Sequence, residues 1–253
     1  MGGELTLLPD GFSSISAIIL VLASFFTSGL TAAAGVGGGM LMLALMTYLI
    51  PVTALIPIHG LVQLGSNAGR TWIQRAHIDW GIAGYFLAGS IPGAVAGAML
   101  SVQLPQHSLQ LLLGVFIFIL VWMKFPPLRS ASRAVVASGG AVTTFVSMFA
   151  GATGPLVAVF LNRLFVEHRR LVATHGATMT AQHALKIVAF GLFGFVFGQW
   201  LPLIAAMILS GYLGTRAGTL VMNRLPERQL KQIFKWTLTL VAVDLVRRGV
   251  GFG

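Results

Sequence analysis

The chain has 253 residues, 56% of them hydrophobic and 9% charged, with a net charge of +10 and a mean hydropathy of +0.88. A soluble domain carries roughly a quarter charged residues, so this composition excludes an ordinary soluble fold and points to an all-α integral membrane protein. The absence of cysteine excludes disulfides and thiolate metal sites, and basic residues confined to short loops argue for membrane topology rather than nucleic-acid binding.

In chain order, residues 1–11 carry Glu4 and Asp10 and lack the basic leader of a signal peptide, so the apolar stretch 12–34 is expected to be a retained span. Gly35-Val36-Gly37-Gly38-Gly39 interrupts it, and apolar segments follow at 36–50, 53–73, 79–100 and 108–123. Beyond Lys124, Arg129 and Arg133 come 134–150, a second break at Gly151-Ala152-Thr153-Gly154-Pro155, then 153–163, 171–198, 201–222 and 230–246. A full span needs about 20 residues, so the pieces after each break are too short to cross alone. Stretches 12–50 and 134–163 are therefore predicted as broken or re-entrant hairpins, in a bundle of about 8–10 membrane segments. Unwound backbone at membrane depth is tolerated only inside protein or beside a cavity. Breaks at matching positions in two halves point to a transporter's binding site.

The halves repeat. Gly35 and Gly151 are 116 residues apart, as are His59 and His175, Ser66-Asn67-Ala68 and Gln182-His183-Ala184, and Arg70 and Lys186. Gly93 and Gly97 match Gly214 and Gly218, and Leu104-Pro105 matches Leu225-Pro226, at a spacing of 121. An insertion between the copies explains the change. The chain thus reads as a first repeat, 1–125, and a second, 132–253, in one membrane domain.

Basic loops are normally cytoplasmic. Arg70 and Arg75 follow 53–73, whereas Arg163, Arg169 and Arg170 precede 171–198; the turns at 101–107 and 199–202 carry no Lys or Arg. Arg224, Arg228, Lys231 and Lys235 follow 201–222. The repeats are therefore expected to be inverted, with the N-terminus outside. Arg247 and Arg248 fall on the outer side against this rule, with Asp244 one turn away as a pairing partner. The small-xxx-small pairs Gly93/Gly97 and Gly214/Gly218 read as close helix packing.

Polar stripes follow the breaks. His59, Gln63, Asn67 and Arg70 share one helical face, as do His175, Thr178, Gln182 and Lys186, with Ser66, Thr180 and His183 nearby. Unpaired polar groups in a bilayer cost several kcal/mol, so such faces turn inward, either as hydrogen-bonding glue between helices or along a substrate path. Arg70 also suits an interfacial anchor, while Lys186 lies deeper in its segment. Glycines allow close backbone approach, and a helix restarting after a break directs free N–H groups and a positive dipole end at an anion. The first run is neither a P-loop nor a dinucleotide fingerprint, since neither the Lys-Ser/Thr nor a preceding strand is present. Of six acids, Glu4, Asp10, Asp79, Glu167 and Glu227 lie at ends or loops, leaving Asp244 alone within a span. Cations and amides facing inward, with almost no carboxylate, favour an anionic substrate over a coupled cation. His59 and His175 are the candidates for a coupling proton. His77 and His107 are read as loop residues, His168 sits among arginines, and no ligand cluster for a metal is expected.

The first break, Pro51-Val52-Thr53-Ala54, Arg75-Ala76-His77-Ile78-Asp79 and Pro92-Gly93-Ala94 through Gly97-Ala98 together resemble the sulfite exporter TauE/SafE family. The second break and Arg170-Leu171-Val172-Ala173-Thr174 are similar to that family's second motif, and the likeness covers nearly the whole chain. Between Leu43 and Tyr48 it lacks the proline often found after the family's first glycines. The resemblance implies a bacterial inner-membrane secondary transporter of sulfite, sulfoacetate or other organosulfonates, an exporter working by alternating access. Its glycine motifs fall on Gly35, Gly37, Gly38 and Gly39 and on Gly151, Thr153, Gly154 and Pro155.

The expected substrate site comprises Gly35, Gly37, Gly38, Gly39, His59, Gln63, Asn67, Arg70, Gly151, Thr153, Gly154, His175, Thr178, Gln182 and Lys186. Because Thr153 and Pro155 replace glycines in the second copy, the substrate is expected nearer the second break. The expected partners are the small anion and the bilayer, with no cofactor or metal; a homodimer stays open. A channel, or an accessory subunit whose stripes merely pair, remain the alternatives. An enzyme is not expected, because neither a GxSxG nor an HExxH motif occurs.

Overall fold

The structure, a computed structural model, describes residues 8–9, 11–34, 38–101, 103–123, 132–162, 164–165, 167–221 and 227–251. Among these residues lie ten α-helices and no strand: α1 (Ser14–Ala34), α2 (Gly38–Leu49), α3 (Val52–Ile73), α4 (Trp80–Ser101), α5 (Gln106–Trp122), α6 (Arg133–Ala150), α7 (Gly154–Leu161), α8 (His168–Leu192), α9 (Leu201–Val221) and α10 (Glu227–Val250). The all-helical expectation is met.

Local chemistry sets several helix ends. The Asp79 carboxylate accepts the Ile82 N–H at 3.0 Å ahead of α4, and the Ser132 hydroxyl accepts the Val135 N–H at 3.3 Å ahead of α6. Pro51, Pro105, Pro155 and Pro202 stand at or just before helix starts, where a missing N–H costs nothing. α6 stops at Gly151, whose φ of +69° few other residues adopt.

Hydrophobicity is turned outward. Ile15, Ile18, Leu22 and Phe26 on α1, Ile91, Val95 and Met99 on α4, and Leu209 and Leu213 on α9 are exposed, while Ser90, Thr144, Thr153, Gln182, His183 and Lys186 are buried. That inversion is what a hydrocarbon solvent demands, since apolar side chains face lipid at no cost and polar ones must find partners inside. By length and apolarity, Ser14–Thr31, Trp80–Ser101 and Arg133–Ala150 could each cross a membrane. The long helices α3 and α8 carry the polar stripes, of which His59, Asn67, Thr178, Gln182 and Lys186 are buried.

α2 and α7 are short, about 18 Å and 12 Å by helical rise, against roughly 30 Å of hydrocarbon. Each packs against its predecessor. Gly38 of α2 lies against Thr27 and Thr31 of α1, and Phe160 of α7 covers Gly139 of α6.

Glycines then set the packing. The backbone carbonyls of Ala137 and Ala141 on α6 occupy the places where Cβ atoms of Gly89 and Gly93 on α4 would stand. On the other side, Phe25 and Gly29 of α1 do the same to Gly214 and Gly218 of α9. Both pairs advance in step along the chain, so α4 runs parallel to α6 and α1 parallel to α9. α3 and α8 are antiparallel: Gly60 meets Lys186 near one end, and Thr71 meets Gly176 and Thr180 towards the other. α5 and α10 are antiparallel too, with Gly114 against Ala242 and Leu111 against Gly249. Exchanging α1–α5 with α6–α10 maps α4–α6 onto α9–α1 and returns the α3–α8 and α5–α10 pairs to themselves.

Ion pairs sit at the periphery. Arg170 reaches Asp79 at 2.8 Å, and Asp244 holds Arg247 at 3.0 Å and Arg248 at 2.6 Å. The two arginines that offended the charge rule are thus paired as expected, and Arg248 also covers the Tyr48 ring at 4.7 Å.

Candidate functional site

Gly39 of the first break and Gly151 of the second both meet side chains of the α3–α8 pair, at His59 and Lys186. Lys186, fully buried on α8, donates its ammonium to the Gly151 carbonyl at 2.8 Å. That carbonyl ends α6, where unpaired C=O groups and the negative dipole end favour a cation. Among the described residues, Asp79 and Asp244 hold the carboxylate ion pairs, and Lys186 takes part in none. Gly60 on α3 makes room for its stem; a Cβ there would stand 2.9 Å from Cδ of Lys186.

One turn before Lys186, Gln182 is held at both ends of its carboxamide. Thr153 donates its hydroxyl to Oε1 at 2.8 Å, and Nε2 donates to the Thr144 hydroxyl at 3.0 Å. Thr144 passes the chain on, donating to Ser90 at 2.9 Å. The network thus joins the second break to α8, α6 and α4. Thr153 precedes α7 as its N-cap residue, yet its side chain makes no capping bond. Its hydroxyl is spent on Gln182 instead.

The histidines bind the breaks in matching ways. His59 Nε2 donates to the Gly39 carbonyl at 2.9 Å, and His175 Nε2 donates to the Gly154 carbonyl at 3.0 Å. α3 and α8 are therefore each tied through an imidazole to a glycine of the break that precedes them. Gln63 lies so close to Gly39 that any Cβ there would overlap its carboxamide. Asn67 is buried and donates to the Gln63 backbone carbonyl at 2.8 Å. The His59 and His183 rings meet edge to face with centroids 6.4 Å apart.

Of the residues singled out in the sequence, Gly39, His59, Gln63, Asn67, Gly151, Thr153, Gly154, His175, Gln182 and Lys186 thus gather about the α3–α8 pair. Gly38 instead seats the first hairpin against α1. Thr178 is buried, but its hydroxyl returns to the His175 carbonyl of its own helix at 2.9 Å. Gly35, Gly37 and the Arg70 side chain lie outside the described residues. Sequence reasoning missed Ser90 and Thr144 and passed lightly over His183. A signal for Thr144 was present: Thr27, Ser28 and Thr31 precede the first break as Thr143, Thr144 and Ser147 precede the second, at the same spacing of 116.

Residues 20–245 match the profile of the sulfite exporter TauE/SafE family. The chain belongs to that family. A TauE/SafE chain of this kind is also similar to the probable membrane transporter protein YunE of Bacillus subtilis (strain 168), 20% identical over 274 residues that cover 93% of this chain and 99% of the relative. No solved structure matches it.

Proposed function

We propose that this membrane transporter carries a small sulfur oxyanion, sulfite or an organosulfonate, outward across the bacterial inner membrane. The observation that carries this reading is Lys186: a buried ammonium with no carboxylate partner among the described residues, beside two hairpin breaks. Burying one charge unpaired is costly, so its natural complement is a mobile anion. Thr153, Gln182 and the Gly151 region supply polar contacts beside it, and Gly39, His59, Gln63 and Asn67 line the first hairpin's side.

The transport cycle we infer is alternating access between inverted halves, with α1–α2 and α6–α7 entering the bilayer from opposite faces and turning back. Antiparallel α3 and α8, and the exchange of helix pairs between halves, support that symmetry. The sidedness read from loop charge gains support from contacts between chain ends. Asp79 pairs with Arg170, both assigned to the cytoplasmic side; Phe12 meets Trp200, both assigned outside, with ring centroids 5.2 Å apart. Trp122, the last residue of α5, lies under Lys235 in the first half of α10 at 3.7 Å, both assigned towards the inner side.

Purified protein in liposomes should move labelled sulfite or an organosulfonate well above empty vesicles, and saturably. Flux no greater than that of empty vesicles across a panel of sulfur anions would sink this reading.

A further inference from the structure

Resting on that reading, the donors and acceptors around Lys186 narrow the form of the ion. His59 gives its Nε2–H to the Gly39 carbonyl, and a carbonyl can only accept. The Nδ1 of the neutral ring therefore presents a lone pair, and that atom is buried with no partner among the described residues. In His183 both ring nitrogens are buried and unpartnered among the described residues. A neutral imidazole there adds one more lone pair and one N–H. Buried acceptors left without a donor are costly and uncommon. A fully deprotonated oxyanion has only lone pairs to offer them; a protonated one brings a hydroxyl.

Charge leads to the same place. The titratable groups facing this point are His59 from α3 and His175, His183 and Lys186 from α8. Neither α2, α6, α7 nor α9 contains Asp or Glu. The arginines of α6 and α9, Arg133 and Arg216, are exposed and lie over Tyr85 and Tyr212. Arg70 springs from α3 about 15 Å of helix beyond Gly60, the residue that faces Lys186. One ammonium balances a monoanion, whereas a dianion leaves a buried charge uncompensated.

We infer that the site takes a singly charged, protonated oxyanion, with Lys186 and the His183 N–H on its oxygens and an imidazole lone pair of His59 or His183 accepting its hydroxyl. For sulfite this is the hydrogensulfite form.

The test is influx into proteoliposomes at fixed, subsaturating total sulfite across the pH range of the ion's second ionisation. Methanesulfonate, a monoanion without a hydroxyl at every pH, is the reference, and sulfate is the dianionic competitor. Above that ionisation sulfite influx should fall about tenfold more per pH unit than methanesulfonate influx does, and excess sulfate should not compete. His183→Leu, which breaks no hydrogen bond in the protein, should raise the KM for sulfite about tenfold more than that for methanesulfonate. Four results would overturn the inference: sulfite influx rising with pH, sulfate competing as well as sulfite, methanesulfonate sharing the pH slope, or His183→Leu raising both KM values equally. If neither sulfite nor methanesulfonate moves above empty vesicles, the anion-transport reading itself fails and takes this one with it.

Discussion

Lys186 separates function from stability at the level of one side chain. Replacing it by Met keeps the volume, removes an unpaired buried charge and loses one hydrogen bond, to Gly151. Buried charges retained at such a cost are usually functional. Lys186→Met should therefore cut anion flux at least tenfold, about the worth of one charged hydrogen bond, while its melting temperature in detergent stays level or rises. A large fall in melting temperature would instead mark Lys186 as structural. Gly151 behaves in the opposite way. Its φ of +69° and the Leu43 methyl 2.9 Å from any added Cβ predict that Gly151→Ala destabilises by about 1–3 kcal/mol. A thermal melt of the variant measures that. Lys186 was legible in the sequence as a cation deep in an apolar segment. His183 was harder to see, because a histidine beside a stripe looks the same whether its ring nitrogens are satisfied or not.

Among elements, the glycine-faced pairs hold the bundle together by backbone contact, since lipid supplies no hydrophobic drive for helices to associate. Gly93→Leu and Gly214→Leu would push α4 off α6 and α9 off α1. Each should lower the melting temperature by about 5 °C, from an overpacking cost of a few kcal/mol. Gly84→Ala is the control on α4, since nothing lies within 4 Å of its Cβ position. Alanine favours the helix over glycine, so a Gly84→Ala melt as low as the other two would mean that close backbone packing is not what Gly93 and Gly214 supply. The GxxxG spacings made these contacts visible in advance. The helix each would meet was not visible, because spacing along one helix carries no information about its neighbour. That α2 and α7 are too short to span hydrocarbon was legible from the glycine breaks and the segment lengths.

Across the whole molecule, the arrangement argues for two halves of opposite sense around α3 and α8. The chain has no cysteine, so single introduced thiols report sidedness cleanly. A membrane-impermeant maleimide should label Gln106→Cys in intact cells and Arg75→Cys only after permeabilisation. The reverse pattern, or labelling of both from one side, would defeat the inverted scheme. Asp244 pairs with Arg247 and Arg248, the two residues that run against the loop-charge reading at the C-terminal helix. Topogenic charge counts residues, whereas only the fold says which of them are already neutralised by a neighbour.

Composition, the spacing of 116 and the loop charges by themselves determined a helical membrane protein, its two glycine breaks, its polar faces and its family likeness, because each is a periodic or additive property of the chain. Only the tertiary structure decided that Lys186 rests on the Gly151 carbonyl, that Gln182 is clamped between Thr153 and Thr144, and that the rings of His59 and His183 meet with nitrogens to spare. Those facts depend on which faces of separate helices come together. That is a matter of packing over three dimensions, which no one-dimensional pattern specifies.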